Sequence, residues 1–483
     1  MVFYPPSKLY QRGEDRSQGN IEDSSSTSMR APNDLGYASS TLKARGHLVL
    51  LKDYQSENLS YSNLESDLLE FKPDAIFVSI TNATIFNDLE IINKLVAHNK
   101  SLVIIIKGAL FFNPDKLMLS LLSLENIDYL VGGESDFIVA DLIESHFQNK
   151  NNLKNIRGIS FKENNKWTKT DFTTWEKDLD NLILPDRSEI KNSLYVRPDT
   201  GETQATIITS RGCPSKCTFC DIRLTKYRYR SAEHVLSEMQ FLKGLGIKEF
   251  FILDDTFTIN KNRLYKLCNL MIQSKVNIKY KISSRVDKVD QELLDLLAAS
   301  GCYRIHYGIE TGSQRLLDYL EKGVTVQQNI DAIKMTKKAG IETLAYMMIG
   351  IPTETREEIQ ETIKFVDKLQ PDRVNYSICT PFPKTKLYQM ALENDPNMED
   401  YWTEFAKNPD PNFKIRTLNE YVTKEELRDI QDKALRRFYF SPRRLAKEIY
   451  HTRSFNQLAL KAKIGIRFLL PRFYTAQGDW NGA

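Results

Sequence analysis

Apolar and polar positions follow two rhythms along the chain. Short apolar runs of strand length recur at Val2-Phe3-Tyr4, His47 to Leu51, Asp74 to Ile80, Leu102 to Ile106 and Ile127 to Val131. Helical spacing lies between them, over Leu35 to Ala44 and from about Phe137. Near-continuous apolar strands separated by helices are the pattern of strands buried on both faces. Residues 1–150 therefore predict an α/β unit, a doubly wound parallel sheet of Rossmann-like type. Ligands of such sheets bind beyond the carboxyl ends of the strands. Here those ends carry Pro5-Pro6, Ser79-Ile80-Thr81-Asn82, Lys107-Gly108 and Gly132-Gly133-Glu134-Ser135, mostly small residues that let a ligand approach the backbone. The polar, Ser-rich stretch from Ser7 to Asn33 reads as a long loop.

Residues 151–200 lose the rhythm and read as a linker with a small strand or two. From Ala205 it resumes, with strands at Ala205 to Thr209, Glu249 to Leu253, Lys279 to Ser283, Tyr303 to Gly308, Thr343 to Ile349 and Arg373 to Ser377. Helices fall between them, so 201–390 predict a full or partial β/α barrel, whose sites lie where strands run into their following loops. Residues 391–483 read as a helical, basic tail.

The chain has 483 residues, which predicts two or three domains. A net charge of +3 gives no case for nucleic acid as a partner. No apolar run reaches membrane-span length and the first thirty residues carry no leader pattern, so a cytoplasmic protein is expected. Six cysteines in so long a chain form no disulfide framework. Three of them, Cys213, Cys217 and Cys220, fall within eight residues, and clustered thiols in a reducing compartment point to metal.

Those three form C-x3-C-x2-C within Arg211-Gly212-Cys213-Pro214-Ser215-Lys216-Cys217-Thr218-Phe219-Cys220, directly after the first barrel strand. Thiolates are the standard ligands of iron–sulfur clusters. Three of them can hold three corners of a [4Fe–4S] cube and leave the fourth iron open to an amino group and a carboxylate. A structural zinc site is the competing reading, but it needs four closed ligands, and no further Cys or His follows at finger spacing.

The motif, with Phe219 before its last cysteine, resembles the signature of the radical S-adenosylmethionine (SAM) superfamily. Arg228-Tyr229-Arg230-Ser231, Asp254-Asp255-Thr256-Phe257, Gly308-Ile309-Glu310-Thr311-Gly312 and Met348-Ile349-Gly350-Ile351-Pro352 resemble its cobalamin-binding subgroup. Leu35-Gly36-Tyr37, Gly46-His47 and Gly132-Gly133-Glu134 resemble that group's B12-binding module. The resemblance covers roughly residues 1 to 390. It implies a cluster on Cys213, Cys217 and Cys220 that cleaves SAM reductively. It also implies SAM contacts from Asp254, Asp255, Glu310, Gly350 and Pro352, and cobalamin held near Ser79, Thr81, Gly108, Gly132 and Gly133. The implied reaction is cobalamin-dependent methylation of an unactivated carbon or phosphorus of a small molecule, with flavodoxin or ferredoxin as electron donor. Two rivals are a radical cyclisation or rearrangement without methyl transfer, and a non-catalytic cobalamin or metal sensor.

Plainer readings stand beside these roles. Asp254 and Asp255 can cap a helix with Thr256. Glu310 can pair with Arg285 or Arg304, and Gly350 to Pro352 can be a plain strand-to-helix turn. Lys107 stands where a second glycine is commoner, and it can reach a corrin amide or phosphate or narrow the site. No D-x-H-x-x-G motif supplies a cobalt ligand. His47 reads as structural, His306 as core or surface unless it faces the lumen, and Cys268 as core; Cys302 and Cys379 fall near strand boundaries. Phe455 to Leu470 reads first as a helix packed on the barrel, with an interfacial amphipathic helix as the alternative.

Overall fold

The computed structural model describes residues 1–7, 30–80, 85–108, 111, 114, 124–148, 150–172, 175–197, 199–222, 224–382, 385–394, 417–450, 452 and 454–469. Within them, Met1–Val196 is one compact unit and the residues from Arg197 onward form a second.

In the first unit, strands β1 (Val2–Tyr4), β2 (Leu51–Asp53), β3 (Ala75–Ser79), β4 (Val103–Lys107) and β5 (Tyr129–Val131) run parallel in the order β2-β1-β3-β4-β5. The expected strand at His47 to Leu51 begins at Leu51 instead. Val2 pairs with Leu51, and Leu48 is 90% exposed, so the apolar run before it is an approach rather than a strand. Residues 151–200 hold the two small strands expected there. β6 (Ile159–Glu163) and β7 (Lys166–Lys169) add an antiparallel hairpin to β5, because Ile159 and Phe161 alternate into the core. Tyr195 joins the same core and its hydroxyl donates to Asp53 at 2.8 Å.

In the second unit, β8 (Gln204–Ile207) leads into a small antiparallel pair, β9 (Ser210–Arg211) and β10 (Arg228–Tyr229), which brackets the three cysteines. Then follow β11 (Glu249–Ile252), β12 (Lys279–Ser284), β13 (Cys302–Glu310), β14 (Glu342–Ile349) and β15 (Arg373–Ile378). These strands run parallel in the order β8-β11-β12-β13-β14-β15, a partial barrel with β8 and β15 as edges. Side-chain caps start the intervening helices, among them Asn260, Asp290 and the Thr355–Glu358 capping box. At the amino ends of the strands, Asp199 accepts from Arg197, Arg304 and Arg373, while Glu342 accepts from Arg304. That closes the end of a barrel where residues serve stability rather than chemistry. The tail helix Lys424–Tyr439 packs on β15, where the Tyr439 hydroxyl donates to the Val374 carbonyl at 2.7 Å.

Candidate active site

The chain leaves β8 through a turn held by buried charge. Asp254, at the end of β11, accepts hydrogen bonds from both the amide and the hydroxyl of Thr209 and of Ser210. Arg263 donates to the carbonyls of Thr209 and Arg230 at 2.9 and 2.8 Å. Arg230, wholly buried, pairs with Glu238 and donates to Ile208. Gly212 has φ +90°, and a Cβ there would stand 2.2 Å from the Lys226 carbonyl oxygen. Its amide donates to Asp255 at 2.7 Å. The Cys213 amide donates to the Thr225 hydroxyl at 2.8 Å, and the Thr225 amide donates back to the Cys213 carbonyl at 3.0 Å. The cysteine loop is thus clamped at both ends.

All three cysteines line one cavity of about 150 Å³, with Asp255, Ser284, Arg285, His306, Lys322 and Tyr346 around it. Cys213 and Cys217 are buried and Cys220 is partly exposed. Burial pushes the Cys220 thiol well above its ordinary pKa. A bound metal reverses that preference, since its charge deprotonates a coordinating thiol outright. Arg285 Nη1 lies 3.5 Å from Cys217 Sγ, while its other nitrogens donate to Asp287 and the Lys322 carbonyl. Among the described residues no three His, Cys, Asp or Glu side chains are placed to hold a single ion. A [4Fe–4S] cube takes one thiolate per corner and spreads its ligands wider.

The structure separates the residues expected to meet SAM. Asp255 lines the cavity, whereas the carboxylate of Asp254 is spent on bracing the turn. Glu310, at a bulge with φ +67°, is buried and pairs with Lys322 at 2.6 Å. Neither Arg285 nor Arg304 is its partner; Arg304 serves Glu342 at the far end of the strand. Gly308 makes room for this pair, since a Cβ would lie 2.5 Å from Glu310 Oε1. Gly350 has φ +76°, a Cβ there would stand 2.6 Å from Leu427, and Pro352 is buried in the same turn. The Gly350 and Ile351 amides donate to Glu354 at 2.6 and 3.0 Å. Burial raises Glu354 to about 7, and its other oxygen is buried with no hydrogen-bond partner among the described residues.

His306 faces the cavity, with Nδ1 3.2 Å from the Tyr346 hydroxyl and its ring 5.3 Å from that of Phe251. Cys268, Cys302 and Cys379 are buried and do not line it. The sequence motifs did not single out Arg285, Lys322 or Glu354. Arg285 directly follows β12, a position that a strand-end search of the barrel reaches; Lys322 lies beyond a helix and carried no signal.

In the first unit, Lys107 turns inward and donates to Asp34 at 3.0 Å and Ser135 at 3.1 Å, so it does not project as a free cation. Ser79 also donates to Asp34, at 3.3 Å. A Cβ on Gly132 would stand 1.9 Å from the Phe111 carbonyl, one on Gly133 2.6 Å from Ile138, and one on Gly108 3.0 Å from the Ile80 carbonyl. The close approach at these glycines is made by the chain itself. His47 stands 3.8 Å from Glu144. Thr81 lies outside the described residues.

The family model of the radical SAM superfamily matches residues 207–366. An uncharacterized methyltransferase of Pyrococcus horikoshii is 31% identical over 450 residues, covering 92% of this chain and 94% of that one. The chain belongs to the radical SAM superfamily. Membership brings a [4Fe–4S] cluster and SAM, and the three-thiol cavity fits that donor set. An anaerobic magnesium-protoporphyrin IX monomethyl ester cyclase of Cereibacter sphaeroides is 27% identical over 411 residues, 83% of this chain and 64% of the relative. Among solved structures, the cobalamin-dependent SAM radical enzyme OxsB matches with TM-score 0.71 and 19% identity, covering 91% of this chain and 69% of OxsB. At that identity the likeness is one of fold: a parallel α/β unit followed by a radical SAM barrel. Among the described residues no helix is long and apolar enough to cross a membrane.

Proposed function

We propose that this superfamily member is a cobalamin-dependent methyltransferase acting on an unactivated carbon or phosphorus of a small molecule. The observation that carries methyl transfer is the near full-length match to a chain named a methyltransferase. Cobalamin is supported by the likeness of fold to OxsB, whose structure holds aqua-cobalamin. In this reading Cys213, Cys217 and Cys220 hold the cluster, which supplies the electron that cleaves SAM. Asp255 and Glu310, at the carboxyl ends of β11 and β13, orient SAM, with Gly350 and Pro352 as the turn against its base. Asp254 acts one step back, by fixing the backbone from which the cysteine loop springs. His306 and Tyr346 offer polar contacts to whatever substrate enters the cavity, and Arg285 places a fixed positive charge beside the cluster ligands. In the first unit, Ser79, Gly108, Gly132 and Gly133 mark the strand ends where the corrinoid binds. A small electron-transfer protein such as flavodoxin or ferredoxin supplies electrons, and the protein works in the cytoplasm.

A second reading, radical cyclisation without methyl transfer, is supported by the relatives named as cyclases. The discriminating experiment is anaerobic purification from cobalamin-supplied cells, followed by incubation with SAM and reductant. Methyl transfer predicts a stoichiometric bound corrinoid and formation of S-adenosylhomocysteine. A protein that binds no corrinoid and yields only 5′-deoxyadenosine overturns the methyltransferase reading and favours the cyclase-like one.

A further inference from the structure

The last two described helices, Pro442–Tyr450 and Phe455–Leu469, carry an unusual load of both charge and exposed apolar surface. Residues 442–469 hold seven Lys or Arg and one acid, Glu448. That is a net +6, whereas the whole chain carries only +3. In the second helix Phe455, Leu458, Ala459, Ala462 and Ile466 are all exposed. At 100° per residue these five fall on one arc of about 100°, a complete apolar stripe. Such a stripe ordinarily faces a core, but here Phe455 is 82% and Ile466 55% exposed. The helix is anchored by its other side. Leu460 reaches toward Gly201, and Lys461 pairs with Glu448 at 2.7 Å. In the preceding helix Leu445 and Ile449, four residues apart, are likewise exposed, and Tyr450 follows at 85%.

From this juxtaposition we infer that the two helices form a docking surface for an anionic phospholipid membrane, with the apolar stripe entering the interface and the basic residues meeting the headgroups. An amphipathic helix with a basic polar face and Phe, Leu and Ile on the other lies in the bilayer interface plane. Charge argues against a second copy of this chain, because residues 442–469 carry a net +6 by sequence even with Arg444 spent on the Pro371 and Asp372 carbonyls and Lys461 on Glu448, and two copies would set like charge against like. Nucleic acid would use the charge but leave the stripe without a partner. The surface is peripheral, and it stands independently of the methyl-transfer reading.

The test is flotation of the full-length, cluster-loaded protein with vesicles of phosphatidylcholine alone or of phosphatidylcholine and phosphatidylglycerol at 3:1. Binding is expected to the anionic vesicles, weakening as salt is raised, since the leaflet potential is screened within a Debye length. The triple variant I449E/F455E/I466E is expected to lose roughly tenfold or more in binding, because each substitution withdraws a large apolar side chain from the interface. Arg443→Gln, at an exposed position, is expected to cost about fivefold, the contribution of one basic residue near an anionic surface. All four positions are exposed, so iron content and melting temperature should stay at wild-type values; if the triple variant fails to fold, Arg443→Gln and the salt series still decide. No binding to either vesicle overturns the inference, as does equal binding to both or unchanged binding by the variants. A dimer in sedimentation that the triple variant abolishes, with no lipid binding, overturns it in favour of a second copy.

Discussion

Replacing Asp254 separates bracing from SAM binding. Its buried carboxylate accepts from two amides and two hydroxyls, those of Thr209 and Ser210, at the point where the chain leaves β8 for the cysteine loop. Asp254→Ala leaves the two amides without an acceptor at a cost of about 1–3 kcal/mol each, while the hydroxyls recover part of their loss by rotating. The net is about 3–5 kcal/mol, which for a unit of this size lowers the melting temperature by roughly 10 °C or more. Asp254→Asn keeps one oxygen for the amides and offers its NH2 to the hydroxyls, so it costs about 1–2 kcal/mol. The assay pairs thermal unfolding with SAM affinity measured by equilibrium dialysis. A brace predicts that Asp254→Asn melts lower while binding SAM within about threefold of wild type, a change under 1 kcal/mol. An Asp254→Asn protein of unchanged stability that binds SAM more than tenfold weaker would refute this and return Asp254 to direct contact with SAM.

Four further predictions follow from neighbouring geometry. Gly212→Ala drives a methyl group to 2.2 Å from the Lys226 carbonyl, so the purified protein should lose most of its iron while the β15 side of the barrel stays folded by hydrogen exchange; full iron content would contradict this. Lys322→Met leaves Glu310 buried and unpaired at a cost of about 3–5 kcal/mol, which the added Glu310→Gln change should largely restore in a denaturant titration. Arg285→Gln removes the cation beside Cys217 and should lower the cluster's reduction potential, read by EPR-monitored titration, by on the order of 50 mV; an unchanged potential would count against the contact. Glu354 ionises in the unfolded chain from about 4.5 but keeps its proton in the folded chain up to about 7. Stability should therefore fall as pH rises through that window, by on the order of 3 kcal/mol, and Glu354→Gln should flatten the slope.

Most of the architecture was legible because apolar strands and amphipathic helices write their period into the sequence. The barrel strands and the cysteine loop fall where the pattern put them, with boundaries differing by a few residues. The failures share a cause, since local pattern does not record what a segment packs against. His47 to Leu51 is apolar enough for a strand, yet pairing with β1 begins only at Leu51. In 151–200 the small strands were legible, but not that they pair as a hairpin onto β5. In the site, cysteine spacing pointed to three thiols that the structure gathers on one cavity, whereas the partner of Glu310 depended on where a helix returned Lys322. At three of the strand-end glycines the chain's own atoms stand where a Cβ would be, a packing detail that local pattern does not record. The tail's period was visible from sequence, but only the structure shows that its apolar stripe faces outward.

The most direct test of the three-cysteine radical SAM site is to purify the protein without oxygen, quantify iron, reduce it and assay SAM for reductive cleavage, in parallel with Cys213→Ala, Cys217→Ala and Cys220→Ala. About four irons per chain and 5′-deoxyadenosine from the wild type, with both lost in each variant, is the predicted result. Cleavage that survives removal of any of the three cysteines, or a fully loaded, reduced protein that leaves SAM intact, would contradict it.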